Sequence, residues 1–419
     1  MAVITYGDTV QFCGAAQAGR GAVPGSDKAP GDGIGIYIHI PFCKSKCYYC
    51  DFNSYSGAEH LVGPYFEALF AEIALRLPAI SERRVKSIYI GGGTPSFVDP
   101  DYIARLLEAC SKQLEFESNV EISMESNPGT LSPASLKKYK AAGINRLSIG
   151  LQAWQDKLLE SMGRIHRRRH FIDNFHAACE AGFENINVDL IFGLPGQAFE
   201  DWAETLEAVT TLGKSSAGLT HLSCYSLAIE EKTVFGEMMK AGKLDETDDL
   251  LDRRMYRHAV EMLAGKGYCH YEISNFALPG FKCRHNLVYW KAGEYAGFGA
   301  GAHSFLDDVR FGNKADIVQY IDAVKRLAGG ETGLFEDMRV IGRREAMSEF
   351  MMLGLRLTEG ISPDEFEERF CASLQAEYGD KLEKLIGKGL LKCVNDNGIR
   401  YRLTRFGLDF ANEAFMEFI

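Results

Sequence analysis

The chain has 419 residues, long enough to bury a large core, and its 46% hydrophobic and 25% charged residues are close to globular averages. A formal net charge of -11 opposes non-specific attraction to nucleic acid or anionic lipid, and no apolar run reaches the roughly 18 residues of a membrane span. Eleven cysteines without regular spacing outside one cluster, and no secretory pattern at the N-terminus, do not read as a disulfide framework; a reducing cytoplasm is expected.

Residues 1–34 are rich in Gly, Ala, Pro and Ser and are expected to form an extension without a core of its own. Apolar runs of strand character follow at 35–40, 85–92, 119–126, 144–152, 184–195 and 219–227, with amphipathic stretches such as YFEALFAEIALRL and ASLKKYKAAG between them. Alternating strands and helices predict an α/β fold with a parallel sheet, a partial (β/α)6 barrel spanning 35–265. The segment 266–330 is irregular, aromatic and glycine-rich, and is expected to complete the core. Residues 331–419 read as helices around a hairpin at Asn395 to Gly398, a small winged-helix-like domain. Its acidity favours packing or partner docking over DNA binding.

In parallel α/β folds, functional side chains gather at the carboxyl ends of the strands. The first such end carries Cys43, Cys47 and Cys50 within one short loop. Structural zinc takes four protein ligands, and a second Cys pair is missing. Three thiolates on a four-iron cube would leave one iron open to another molecule. His39, on the strand before the loop, is a possible fourth ligand, or a residue that packs beneath it. Later strand ends add Gly91-Gly92-Gly93-Thr94-Pro95, a turn that lets the backbone approach a ligand, then Glu125, Gln152 and Asp189. Arg164 offers a guanidinium for a carboxylate.

The run Tyr37-Ile-His39-Ile-Pro41-Phe42-Cys43-Lys-Ser-Lys-Cys47-Tyr-Tyr-Cys50 resembles the radical S-adenosylmethionine (SAM) superfamily, in the subgroup related to oxygen-independent coproporphyrinogen III oxidase. The resemblance runs from about Gly35 to the C-terminus. It implies a [4Fe-4S] cluster on the three cysteines, with SAM on the open iron, and reductive cleavage of its sulfonium to a 5'-deoxyadenosyl radical. It also implies that Tyr37, Gly92, Gly93, Thr94, Glu125, Gln152, Arg164 and Asp189 bind that cofactor.

Where the oxidases of this subgroup carry a further cysteine two residues after the third, this chain has Asp51-Phe52. That version is similar to the HemW-type haem chaperones, as is Arg284-His285-Asn286-Leu287-Val288-Tyr289-Trp290, which matches an HNxxYW motif of that subgroup. The resemblance implies haem as cargo, with His285, Tyr289 and Trp290 involved in holding it and Cys283 and His303 as rival iron ligands. Haem-requiring acceptors, such as membrane respiratory enzymes, are the partners implied; the electron donor is not indicated. The alternative is oxidative decarboxylation of coproporphyrinogen III. The run Arg167–Arg169 with His166 and His170 reads as a solvated face or a partner for propionates. Cys110, Cys179 and Cys224 read as buried core.

Overall fold

A computed structural model describes residues 33–215, 218–396 and 398–419; the extension expected over 1–34 falls almost wholly outside them. Strands β1 (Ile34–Ile40), β2 (Val85–Gly92), β3 (Phe116–Ser126), β4 (Arg146–Gln152), β5 (Ile186–Phe192) and β6 (Leu219–Ser226) lie side by side in chain order, all parallel. Their two-residue alternation sorts the side chains onto two faces. Ile38 stands opposite Ile90, and Ile90 opposite Met124, in a continuous apolar face covered by helices such as Val62–Arg76 and Pro100–Gln113. On the other face Tyr37 stands opposite Tyr89, and Tyr89 opposite Ser123. The inner face is therefore polar, which sets these strands apart from a barrel whose interior is filled by branched aliphatics.

The segment expected to be irregular builds both flanks of the sheet. β7 (Cys269–Glu272) and β8 (Asn275–Ala277) form a hairpin antiparallel to β6; β9 (Tyr295–Phe298) runs parallel to β1 on the opposite side. Beyond β9 come β10 (His303–Leu306), β11 (Val309–Asn313) and β12 (Phe335–Val340), all joined antiparallel, so β12 and β7 are the two edges of a wound but open sheet. The sequence division at 330/331 is corrected here: β12 pairs with β11 and belongs to the large sheet. Its mostly exposed residues, Phe-Glu-Asp-Met-Arg-Val, carry too little apolar alternation to announce a strand.

The remaining residues close a second core around Met351, Leu355, Phe366, Leu385 and Phe418. Helices Arg343–Gly354, Pro363–Phe370 and Leu374–Gly387 pack with the hairpin of β13 (Leu391–Asn395) and β14 (Ile399–Leu403) in the winged-helix-like arrangement. This unit is tied to the barrel by the two-pronged Arg310–Glu349 pair, by Arg257–Asp409 and by Arg369, which donates to the carbonyls of Lys291 and Ala292.

Candidate functional site

The loop leaving β1 is pinned on both sides. The Cys43 amide donates to the Tyr55 carbonyl at 2.8 Å and the Tyr55 amide to Pro41 at 2.7 Å, closing its neck. Farther out, the Tyr48 amide donates to Met162 and the Phe235 amide to Tyr48. Lys46 Nζ reaches Ser54 Oγ at 2.9 Å and the carbonyl of Phe52, which keeps an ammonium close enough to act on Cys43 and Cys50. Burial pushes the thiols of Cys43 and Cys50 up; the Lys46 charge and hydrogen bonds oppose that push. Among the described residues no group of three His, Cys, Asp or Glu side chains converges on a single metal ion. A four-iron cube does not ask for that convergence, since each thiolate binds a different iron.

A belt of hydrogen bonds links two of the cysteines. Cys43 Sγ meets Thr94 Oγ1 at 3.4 Å; Thr94 Oγ1 accepts from Asn127 Nδ2 at 2.8 Å; Asn127 Oδ1 accepts from Arg164 Nη1 at 3.0 Å; and Arg164 Nη1 lies 3.6 Å from Cys47 Sγ. Arg164 Nη2 donates to the Gly150 carbonyl at 3.0 Å, while its buried Nε has no partner. A buried guanidinium with one unanswered donor beside a thiol fits an anionic ligand at this rim, as the carboxylate of SAM would be. Asn127 was not singled out from the sequence. Its position, directly after β3 and two residues past Glu125, is the signal that marks it.

Gln152, the last residue of β4, adopts φ of 71°. Its amide, Arg164 and Asn127 crowd over Gly150, where a Cβ would stand 2.8–2.9 Å from all three. Glu125 accepts from Tyr89 Oη at 2.8 Å and from the Gly92 amide at 3.0 Å. Burial nevertheless pushes its carboxyl up to about 7, helped by the charge of Asp189 and opposed by those two hydrogen bonds.

Two expectations are corrected, and of the two alternatives for His39 the packing one agrees with the geometry. The glycine run does not leave its space to a ligand: a side chain at Gly92, whose φ is 111°, would collide with the His39 ring, and one at Gly93 would meet the Phe42 carbonyl at 2.7 Å. The glycines let the cysteine loop dock on the end of β2. Asp189 lies in the middle of β5, below the rim, where Ser148 Oγ donates to it at 2.7 Å and Asn187 Nδ2 at 2.9 Å. His39 is not a free fourth ligand, because Tyr37 Oη donates to its Nδ1 at 2.9 Å and its Nε2 donates to the Asn53 carbonyl at 2.8 Å. Burial lowers its pKa, in keeping with a neutral ring.

The HNxxYW residues sit at the opposite end of the strands. His285, on helix Arg284–Trp290, is 1% exposed. It meets Ser87 Oγ at 3.0 Å through Nδ1 and Tyr289 Oη at 2.9 Å through Nε2, and burial drives its pKa to about 3. An axial ligand needs a ring nitrogen facing open space, so the expectation of iron ligation by His285 is not met. Tyr289 packs edge-on against His285 and Tyr295, and Trp290 lies under Arg356 at 4.3 Å. Of the rivals, Cys283 is buried with its Sγ 3.4 Å from Glu121 Oε1, and His303 is exposed on β10. In the basic run, Arg167 pairs with Glu160 and Arg169 with Asp173, Arg168 lies over Trp154, and His170 caps its own helix. His166 is buried instead.

Residues 37–209 match the model of the radical SAM superfamily, and residues 341–410 that of the HemN C-terminal domain. The chain is 37% identical over 385 residues to the haem chaperone HemW of Bacillus subtilis, covering 91% of this chain and 98% of that one. It is 36% identical over 383 residues to the HemW of Lactococcus lactis, covering 91% and 96%. Among solved structures, the coproporphyrinogen III oxidase HemN of Escherichia coli superposes with a TM-score of 0.78 at 24% identity, covering 92% of this chain and 90% of that one. At that identity the likeness speaks for the fold.

Proposed function

Since this chain belongs to the HemW family of haem chaperones within the radical SAM superfamily, we propose that it binds haem and delivers it to haem-requiring acceptor proteins, membrane respiratory enzymes among them, in the cytoplasm. No described helix is long and apolar enough to cross a membrane. The observation that carries the reading is the identity to a haem chaperone over 98% of that protein's length. Phe52 agrees with it: it occupies the position of the oxidases' further cysteine, and its side chain is 62% exposed.

The superfamily's [4Fe-4S] cluster and SAM, when bound, supply one-electron chemistry at a sulfonium. In this reading Cys43, Cys47 and Cys50 hold the cluster. Arg164, a buried guanidinium beside Cys47, would pair with the cofactor's carboxylate. Glu125 and Gln152, at the ends of β3 and β4, would hold its ammonium, with Tyr37 and Asp189 on the strands below them. The Thr94–Asn127 belt orients Arg164 against the cysteine loop and keeps the guanidinium aimed without a flexible partner.

The test is an anaerobic incubation of cluster-loaded protein with SAM, a reductant and coproporphyrinogen III, run beside a haem titration followed by absorbance. Haem binding without carbon dioxide release or protoporphyrinogen formation is the expected result. Turnover of the porphyrinogen would establish the oxidase alternative and show that the further cysteine is dispensable for it.

A further inference from the structure

Below the cofactor rim a chain of hydrogen bonds runs from Asp189 to the helix that carries the HNxxYW residues. Ser148 Oγ donates to one oxygen of Asp189 at 2.7 Å and Asn187 Nδ2 to the other at 2.9 Å. Asn187 Oδ1 lies 2.6 Å from His221 Nδ1, His221 Nε2 lies 2.8 Å from Tyr271 Oη, and Tyr271 Oη accepts from the amide of Cys283 at 3.3 Å. Cys283 is the residue before helix Arg284–Trp290. Strand register builds the first part: Asn187 on β5 stands opposite Ser148 on β4 and His221 on β6, and Asp189 stands opposite Ser223. The intervening Val188, Leu190, Leu222 and Cys224 belong to the helix-covered core, so this polar set faces inward.

The donors and acceptors leave one arrangement of protons. A carboxylate only accepts, so the amide nitrogen of Asn187 is the atom that faces Asp189, and it also donates to Ser148 Oγ at 2.6 Å. The Asn187 oxygen is then turned to His221 and Ser223 and requires a donor, so His221 carries its proton on Nδ1. Its Nε2 is left as an acceptor for the Tyr271 hydroxyl, whose oxygen in turn takes the Cys283 N–H. Every donor points toward Asp189, and hydrogen bonds aligned in this way polarise one another. Burial, with the Arg146 charge, lowers the His221 pKa well below its usual value, in keeping with a neutral ring.

Burial also shows which end of the chain is open. His221 is wholly buried, and Asn187, Ser148, Ser223 and Tyr271 are each 2% exposed, whereas Asp189 is half-buried on the inner face of the sheet. Protein donors thus hold each Asp189 oxygen from beneath, and its exposed side is left for a hydroxyl or ammonium donor of a ligand. An Asn187 amide turned the other way would set its oxygen against the carboxylate.

We infer that His221 is a positioning residue of the cofactor site, its Nδ1 proton locking the Asn187 amide onto Asp189 and so holding that carboxylate for SAM; this rests on the reading above that Asp189 belongs to the SAM site. The test uses the full-length, cluster-loaded chain in anaerobic equilibrium dialysis with SAM and in nitrogen–proton correlation spectra of histidine-labelled protein. An Asn side chain puts its amide nitrogen near the place of Nδ1, while a Gln side chain reaches the place of Nε2. His221→Asn is therefore expected to bind SAM within threefold of wild type, and His221→Gln at least tenfold more weakly. Packing alone predicts the reverse order, because Gln fills more of the imidazole's volume. The wild-type spectrum is expected to contain a neutral Nδ1–H imidazole, assigned to His221 by its loss in either variant. An Nε2–H tautomer at His221, SAM binding by both variants equal to wild type, or weaker binding by His221→Asn than by His221→Gln overturns the inference and leaves the cofactor reading standing. If the wild type binds no SAM, the cofactor reading falls and this inference with it.

Discussion

Replacing Glu125 by Gln should remove a specific part of the protein's pH dependence. Burial raises the Glu125 carboxyl from 4.5 to about 7, a shift worth roughly 3 kcal/mol at 1.36 kcal/mol per unit. Between about pH 4.5 and 7 the native state holds this proton and the unfolded chain does not. Stability from this group is therefore fully present below the unfolded value, declines as pH rises, and levels off above the folded value. Glutamine is neutral throughout; it still accepts from Tyr89 Oη, but its amide group turned toward the Gly92 N–H costs on the order of 1–3 kcal/mol at every pH. Urea unfolding of both cofactor-free proteins from pH 4.5 to 8 should show the wild type losing about 3 kcal/mol relative to the variant. Other carboxyl groups cancel in that difference. Parallel stability curves, within roughly 0.5 kcal/mol, would refute the reasoning and make Glu125 an ordinary carboxylate. The same proton links to ligand binding: a cationic ammonium beside Glu125 draws it off, so SAM affinity should fall below pH 7 in the wild type and stay flat in Glu125→Gln.

Three further outcomes are expected. Replacing Cys43, Cys47 and Cys50 together by Ala should abolish the brown cluster absorbance while the far-ultraviolet circular dichroism persists, and four irons per chain in that variant would end the cluster assignment. Glu72 is wholly buried and pairs with Arg76, Tyr320 Oη at 2.6 Å, the Gly299 amide at 2.9 Å and Asn313 Nδ2 at 2.8 Å; Glu72→Ala leaves the guanidinium uncompensated and should cost about 3–5 kcal/mol in urea unfolding. His285→Ala leaves the Ser87 and Tyr289 hydroxyls without their partner and opens a cavity, so it should lower stability by about 2–4 kcal/mol. The haem affinity of its folded form, measured by absorbance titration at low temperature, should match the wild type.

The six parallel strands were readable because each combines an apolar alternate face with a polar or aromatic one, and because the helices between them repeat every three to four residues. β1 shows it plainly: four isoleucines face the helices, while Gly35, Tyr37 and His39 face inward. The flanks were not readable for a physical reason. β7 to β11 are three to five residues long, too short to display a period, and glycines at 293, 297, 299 and 301 interrupt them. Gly297 is obligatory, since a Cβ there would overlap the His303 carbonyl, yet in sequence it reads as one more loop residue.

The rim shows what residue type can and cannot say. A thiol, a guanidinium and a carboxylate at successive strand ends announce a polar site, and the strand register brings them together. Whether the space beside a glycine belongs to a ligand or to another part of the chain depends on which segment folds over it. At Gly92 that segment is His39, from a strand more than fifty residues earlier in the chain. The same limit explains His285. It is a histidine on a helix outside the six-strand pattern, and a place in a recognisable motif says nothing of the state of its ring nitrogens. Both of its ring nitrogens are satisfied by side chains from β2 and its own helix. Ligand capacity follows from an unsatisfied lone pair beside an open volume, and both of those are properties of the packed chain.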